Sequence, residues 1–381
     1  MKRFGILVLV ALLIMGMAAG TSLAEPQKGQ VMKLTLDEAI NYALENSPTV
    51  KLAEVSLQEA EKSYEQADSA KEQIEDNPYA PPGLDTKKIK ELYPKQAERG
   101  YEMSKSSLDY TKRSIRLSVE SAYYNVLSAE QKVAVNEATM ERAQKQLDTA
   151  NASFEAGTVA KNDVLGAEVQ LDKAQADLNS VRNDLDIAYM ELNRALGMDL
   201  NQLLELTTVL EYKPMEPIDL AETITKATES DVSLLGAEID YENKKDAFEL
   251  TAKFYTPNVY TYRGAKLAMD KALVNYDEAQ KDHELRVTKA YLNLKAAEAN
   301  YQVLVKSVER AKESLRLSKL RYEVGVATSL EVLQASEALQ NQELYLAQAL
   351  QSYNLVKAQF THNVFNGGAA ASDASSMPSG I

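Results

Sequence analysis

Residue types that usually carry out chemistry are scarce in this chain. It has no Cys and no Trp, and its two His, His283 and His362, stand 79 residues apart. Without Cys there is no thiolate nucleophile, no disulfide framework and no Cys-built zinc or iron–sulfur centre. Two distant His make no metal site and read as surface residues. No phosphate loop and no nucleophile–base motif occurs. The 56 Asp and Glu outnumber the 42 Lys and Arg, giving a net charge of −14 that argues against a nucleic-acid partner. Carboxylates in such number on helices form solvated faces, with some available to line a cation-attracting passage. The expectation is a non-enzymatic protein with no catalytic residue, cofactor or metal.

Spacing is informative at two short breaks around glycine. These are Phe154-Glu-Ala-Gly157-Thr158-Val159-Ala160 and Tyr322-Glu-Val-Gly325-Val326-Ala327-Thr328. A Gly just past a periodic run is the usual helix stop, because it accepts the left-handed conformation. The residues beside both glycines are small enough for another hairpin to pack on them. Each break falls within a Pro-free span, 95–213 or 258–377. Pro inside a helix costs about 3 kcal/mol, so such spans permit very long helices.

The apolar periodicity fills these spans. Steps of three and four from Val287 reach Ala290, Leu294, Ala297, Tyr301, Leu304, Val308, Ala311 and Leu315, all apolar. The return limb, Val332 to Phe360, breaks the pattern only at Gln342. The first span does the same from Val119 to Phe154, interrupted at Asn136, and from Val164 to Ala195 without interruption. A repeat of 3.5 residues held this long is a coiled-coil pattern. The fold class is therefore all-α, built from long antiparallel helical hairpins that turn at Gly157 and Gly325. Limbs of 35–60 residues would reach roughly 50–90 Å. Tyr301, Tyr322 and Tyr353 fall on the seams and read as core.

The second span repeats the first at an offset of 168: Glu141-Arg-Ala matches Glu309-Arg-Ala, and Val164-Leu matches Val332-Leu. Upstream, Leu36-Asp-Glu matches Leu220-Ala-Glu at an offset of 184, each behind a capping pair, Thr35/Glu38 and Asp219/Glu222. Residues 25–199 form the first helical repeat, with a connector at 72–100, and 200–365 the second, with a connector at 252–264. Residues 366–381 are low-complexity and read as a disordered tail. Met1-Lys-Arg, the apolar run from Phe4 and Thr21-Ser-Leu-Ala24 read as a signal peptide, 1–24, with an uncleaved anchor as the alternative. Removing it leaves 40 Lys and Arg against 56 Asp and Glu, a charge of −16. The protein is expected outside the cytoplasmic membrane.

The leading motif Leu34-Thr-Leu-Asp-Glu-Ala-Ile-Asn-Tyr-Ala-Leu-Glu-Asn-Ser-Pro48, and the tip motif Arg321-Tyr-Glu-Val-Gly-Val-Ala-Thr-Ser-Leu-Glu-Val-Leu333, resemble those of the TolC-like outer-membrane efflux protein family. The resemblance implies a homotrimeric helical tunnel in the cell envelope, topped by an outer-membrane β-barrel. It also implies hairpin tips, here Gly157 to Ala160 and Gly325 to Thr328, that dock a periplasmic adaptor (a membrane fusion protein) of an inner-membrane pump. The chain departs from the family at the barrel. Two membrane strands of ~9–11 residues per connector do not fit 252–264, and 72–100 shows Pro and charge instead of alternation. The barrel is expected to be missing or vestigial, which puts membrane insertion in doubt. A coiled-coil envelope scaffold or spacer without a conduit is the rival reading. An adaptor would need β-rich flanks, which the sequence does not show.

Overall fold

The computed structural model describes residues 31–365; the expected signal peptide, 1–24, and the expected tail, 366–381, lie outside the described residues. Strand β1 (Met32–Leu34) leads into helix α1 (Leu36–Asn46). Thr35 opens α1: its hydroxyl accepts from Glu38 N at 3.2 Å, while the Glu38 carboxylate accepts from Thr35 N at 2.8 Å. Ser47 then caps α2 (Pro48–Glu75), whose Pro48 stands in the first turn, where a missing N–H costs nothing. After a turn at 76–83 come the one-turn α3 (Leu84–Lys87), a π-helical turn (Lys88–Leu92) and the long helix α4 (Tyr93–Glu155). Helix α5 (Lys161–Leu196) returns antiparallel to α4, and strand β2 (Leu204–Leu206) follows. The second repeat has α6 (Leu220–Thr228), α7 (Val232–Ala252), α8 (Tyr260–Glu323) and α9 (Ser329–Thr361). At 1.5 Å per residue, α4 with 63 residues and α8 with 64 are each about 95 Å long.

Each long helix serves two partners in turn. The early part of α4 packs on α2, where Tyr64 stacks with Tyr101, and its later part packs on α5, where Tyr189 donates to Glu130 at 2.7 Å. Helix α8 likewise packs first on α7, through Tyr241 with Tyr276, and then on α9, through Tyr301 with Tyr353. The expected seams are the buried ones. Val308, Ala311 and Leu315 of α8 cluster with Val332 and Leu339 of α9, and Ala150 of α4 clusters with Val164 and Ala167 of α5. Removing such a Leu or Val from water is worth roughly 1.5–3 kcal/mol, repeated along every hairpin. Phe154, at the end of its seam, is exposed.

Three features differ from the sequence reading. The turns are shorter than the expected connectors, at 76–83 and 253–259, because helix reaches into both. Pro94 does not stop α4: the widened π turn directly precedes it and takes up the break that its ring and missing amide would make in a regular ladder. Neither turn contains a strand, so no barrel strand is present at either connector among the described residues. Second, β1 and β2 pair in parallel, Met32 with Leu204 and Leu34 with Leu206, and join the two repeats. Runs of three residues carry too little alternation to be seen in sequence. The fully buried Tyr123 locks this joint, its hydroxyl donating to Leu34 O at 2.9 Å and accepting from Thr208 N at 3.1 Å.

Third, the histidines are not surface residues. His283 is 3% exposed, and His362 lies 2.8 Å from Glu120 Oε1. Both carboxylates come from elements distant in sequence, so spacing gave no hint of either pair. Asp231 organises the first pair. One oxygen caps α7 by accepting from Ser233 N and Leu234 N at 2.9 and 3.1 Å; the other accepts from His283 Nδ1 and Arg286 Nη2, each at 2.6 Å. Burial works against the charged carboxylate, yet hydrogen bonds from His283, Arg286 and Leu234 N hold its pKa below the ordinary 3.8.

Asp231→Asn keeps the cap and removes the charge, and it is expected to cost about 2 kcal/mol at neutral pH. A lowered folded pKa means that this contribution is present above the ordinary 3.8 and fades as pH falls through the folded value. Denaturant melts of both proteins should therefore differ at neutral pH and converge in strong acid.

The hairpin tips and the surfaces around them

Both hairpins end in the same turn. Gly157 has φ +73° and Gly325 +75°, left-handed values that strain any residue with a Cβ. Gly157 N donates to Phe154 O and Thr158 N to Ser153 O, both at 2.9 Å; Gly325 N to Tyr322 O and Val326 N to Arg321 O repeat this at 2.9 Å. This paired pattern of a Schellman stop satisfies the last carbonyls of α4 and α8. The offset of 168 thus holds atom by atom. Restarting the helix is less symmetrical. Thr328 caps α9 with a full capping box to Glu331, whereas Ala160 offers no side-chain oxygen and only its amide is held, by Asp163 at 3.1 Å. Thr158, Ala160, Val326 and Thr328 are exposed, and Val159 and Ala327 are half-buried. Phe154 and Leu165 at one tip, and Val324, Val326 and Leu330 at the other, leave large apolar side chains uncovered.

The two hairpins touch through α4 and α9, and there the chemistry changes. Inside each hairpin the seam is mainly apolar; between hairpins Leu117 of α4 packs with Ala358 of α9 near the strand pair, and the contact becomes polar toward the tips. Gln351 donates to Asn125, Gln340 donates to Asn136 at 3.0 Å, and Gln146 donates to Ser329 at 3.5 Å. Asn136 is the one interruption in the α4 seam, so the sequence did mark this contact without naming its partner. Glu343 lies between Arg142 at 3.5 Å and Lys312 at 3.9 Å, long contacts for a side chain only 16% exposed. Lys173 of α5 reaches Glu337 of α9 at 2.9 Å. The sequence reading placed these carboxylates on solvated faces, since only the fold brings their partners close. Counting along both helices from the Asn136–Gln340 contact, the Gly157 tip stands about 10 Å beyond the Gly325 tip.

The outer flanks carry large uncovered apolar side chains. Leu267, Val274, Leu285, Leu292 and Val303 of α8 are exposed, at spacings of 7, 11, 7 and 11 residues. Eighteen residues make five full turns, so these side chains form one straight stripe of roughly 50 Å. On α5, Leu165, Val169, Ile187 and Met190 are also exposed. Glu278 stands within the α8 stripe and Lys271, Lys281 and Lys289 along its edges, so the apolar side chains are interleaved with charge.

The chain is thus two tandem long helical hairpins with apolar seams, in contact through α4 and α9. The sequence comparisons place this architecture in a family. The family profile described as outer membrane efflux protein matches residues 94–198 and 254–364, more than half of the chain. The chain belongs to that family. It is 23% identical over 285 residues to the outer membrane protein TolC of Salmonella enteritidis, covering 62% of this chain and 58% of that protein. To TolC of Vibrio cholerae it is 24% identical over 304 residues, covering 68% and 69%. The chain thus spans little more than half the length of the Salmonella relative and, at 58%, of the Escherichia coli one. Among solved structures, the outer membrane protein VceC of Vibrio cholerae has a TM-score of 0.69 at 14% identity, covering 86% of this chain and 95% of that one. The CmeC outer membrane channel of Campylobacter jejuni has a TM-score of 0.65 at 13% identity, covering 86% and 85%. The open-state MtrE channel of Neisseria gonorrhoeae has 0.63 at 17% identity, covering 87% and 89%. At these identities the likeness concerns the fold.

The uneven capping predicts uneven tips. Ala160→Thr copies Thr328 into the first tip and should stabilise the start of α5 by about 1 kcal/mol. Hydrogen exchange is the check: amides of 161–163 should slow severalfold while those of 329–331 stay unchanged.

Proposed function

We propose that this chain is the protomer of a homotrimeric export conduit in the cell envelope, passive in itself and driven by a partner pump. The observation that carries the reading is the division of contacts: mainly apolar within each hairpin, polar between hairpins toward the tips, and large apolar side chains uncovered on the outer flanks. The flanks call for a neighbouring copy. Toward the tips the polar contacts between hairpins, several of them long, would let the arms shift against each other without exposing core. The tips, Gly157 to Ala160 and Gly325 to Thr328, would dock the adaptor of an inner-membrane pump, and adaptor engagement would open them like an iris. No nucleotide-binding motif occurs in the sequence, so the energy is assigned to the pump. An apolar run behind Met1-Lys-Arg supports export.

A second reading, a coiled-coil spacer without a lumen, is favoured by the strandless turns at 76–83 and 253–259. Native mass separates the two. Residues 25–381 purified without detergent should run near three times the chain mass, whereas a clean monomer would favour the spacer. Leu292→Lys, in the middle of the α8 stripe, should reduce the assembly to single chains while helicity by circular dichroism stays unchanged.

Adaptor docking has its own test. Gly325→Val puts a β-branched side chain at φ +75°, where it costs at least about 1–2 kcal/mol and distorts the tip. Export in cells and adaptor pull-down should both be lost while the native mass is kept. Undiminished export would remove the tip from the docking role.

A further inference from the structure

Where the two hairpins face each other, all four long limbs contribute to one small cavity. Its wall includes Thr139, Arg142 and Gln146 of α4, Gln170 of α5, Lys319 of α8 and Ser336 of α9. Arg142 stands 15 residues before Gly157, about 22 Å from that tip, and Lys319 six residues before Gly325, about 9 Å from the other. The cavity measures about 30 Å³, room for one water-sized particle or one monatomic ion.

Two cations line this space and no carboxylate does. Arg142 Nη2 donates to Thr139 Oγ1 at 2.7 Å, but Arg142 Nε is buried and has no acceptor. The one carboxylate that Arg142 approaches, Glu343, is 3.5 Å away and lies 3.9 Å from Lys312 as well. Lys319 is half-buried and makes no ion pair with any described residue. Thr139 spends its own proton on Val135 O at 2.9 Å, so it serves Arg142 only as an acceptor. The remaining carboxylates on these turns are not free to answer the two cations. Glu137, Glu141 and Glu337 pair with Arg182, Lys145 and Lys173 at 2.8, 2.6 and 2.9 Å. Asp148, Glu168, Asp172 and Glu323 are solvent-exposed and lie off the wall, where water and salt screen them. A buried charged donor without an acceptor is costly, and such a group in a native fold calls for a missing partner.

We propose that this cavity binds a chloride ion, which accepts from Arg142 Nε and Lys319, with the Gln170 amide and the Ser336 hydroxyl as further donors. The space is too small for a tetrahedral oxyanion or a carboxylate ligand. A water molecule would fill it but leave both positive charges unanswered. The wall offers a metal cation no anionic ligand. A bound chloride ties α4 and α5 of one hairpin to α8 and α9 of the other, at a level where direct contacts such as Gln146 to Ser329 at 3.5 Å are long. The tie between the arms thus depends on the salt around the protein.

Thermal melts of the full chain in sodium chloride and in sodium gluconate at equal ionic strength are the test, since gluconate cannot enter. Chloride is expected to raise the melting temperature by about 2 °C, rising with the logarithm of its concentration. The chlorine-35 resonance of the solution should broaden as protein is added. Lys319→Gln should lose the melting response and most of the broadening. Ser336→Asp supplies a carboxylate in place of the ion and should also lose the response. Circular dichroism checks that each variant is folded, and either one alone suffices. Equal melts of the parent protein in the two salts would overturn the proposal, as would an undiminished chloride response in a folded variant. The site lies within one chain, so this result is independent of native mass and adaptor docking, and its failure is distinguishable from failure of the conduit reading.

Discussion

Everything in this architecture depends on where the apolar surface is placed along two helices of about 95 Å. Neither α4 nor α8 would persist alone in water at that length, because a helix gains most of its stability from a covered face. Each is covered by one partner over its early part and by another over its late part. The cover is mainly apolar within a hairpin and, toward the tips, polar across to the other hairpin. Strength along the hairpin and slip between hairpins therefore come from a single distribution of side chains.

The joint between repeats is the counterpart of that slip. The β1–β2 pair, Tyr123 beneath it and the stacked Tyr212, Tyr301 and Tyr353 hold the linker in place. Tyr353 also donates to Lys213 O at 2.7 Å, and Arg113 donates to Ser230 O at 2.8 Å and to His362 O at 3.1 Å. These half-buried polar contacts are shorter than those around Glu343. Contacts are thus tighter at the waist than between the arms nearer the glycine tips.

Much of this was legible from side-chain period alone. The seams through Val287, Leu294 and Val308, and the stops at Gly157 and Gly325, depend on spacing and on one backbone conformation, both of which are local. What stayed hidden depended on contacts between distant segments. Met32–Leu34 and Leu204–Leu206 form strands only because each has the other. His283 looked like a lone surface residue until Asp231, 52 positions earlier, closed over it. Asn136 was visible as an interruption, yet its meaning lay 204 residues away at Gln340. The uncovered stripe of α8 was masked in sequence by the stronger seam on its other face.

The register between hairpins also makes the molecule a ruler. Asn125 pairs with Gln351 and Asn136 with Gln340, so 11 residues down one arm equal 11 up the other. An insertion in α4 alone would misalign α5 on one side and α9 on the other. Reach can change only when paired arms gain or lose whole heptads together, in increments of about 10 Å. The two halves of the chain must change in step as well, and their long helices, at 63 and 64 residues, still agree to within one. The distance this protein spans is therefore quantised, and a lineage needing a wider or narrower gap would have to alter it in fixed units, in both halves at once.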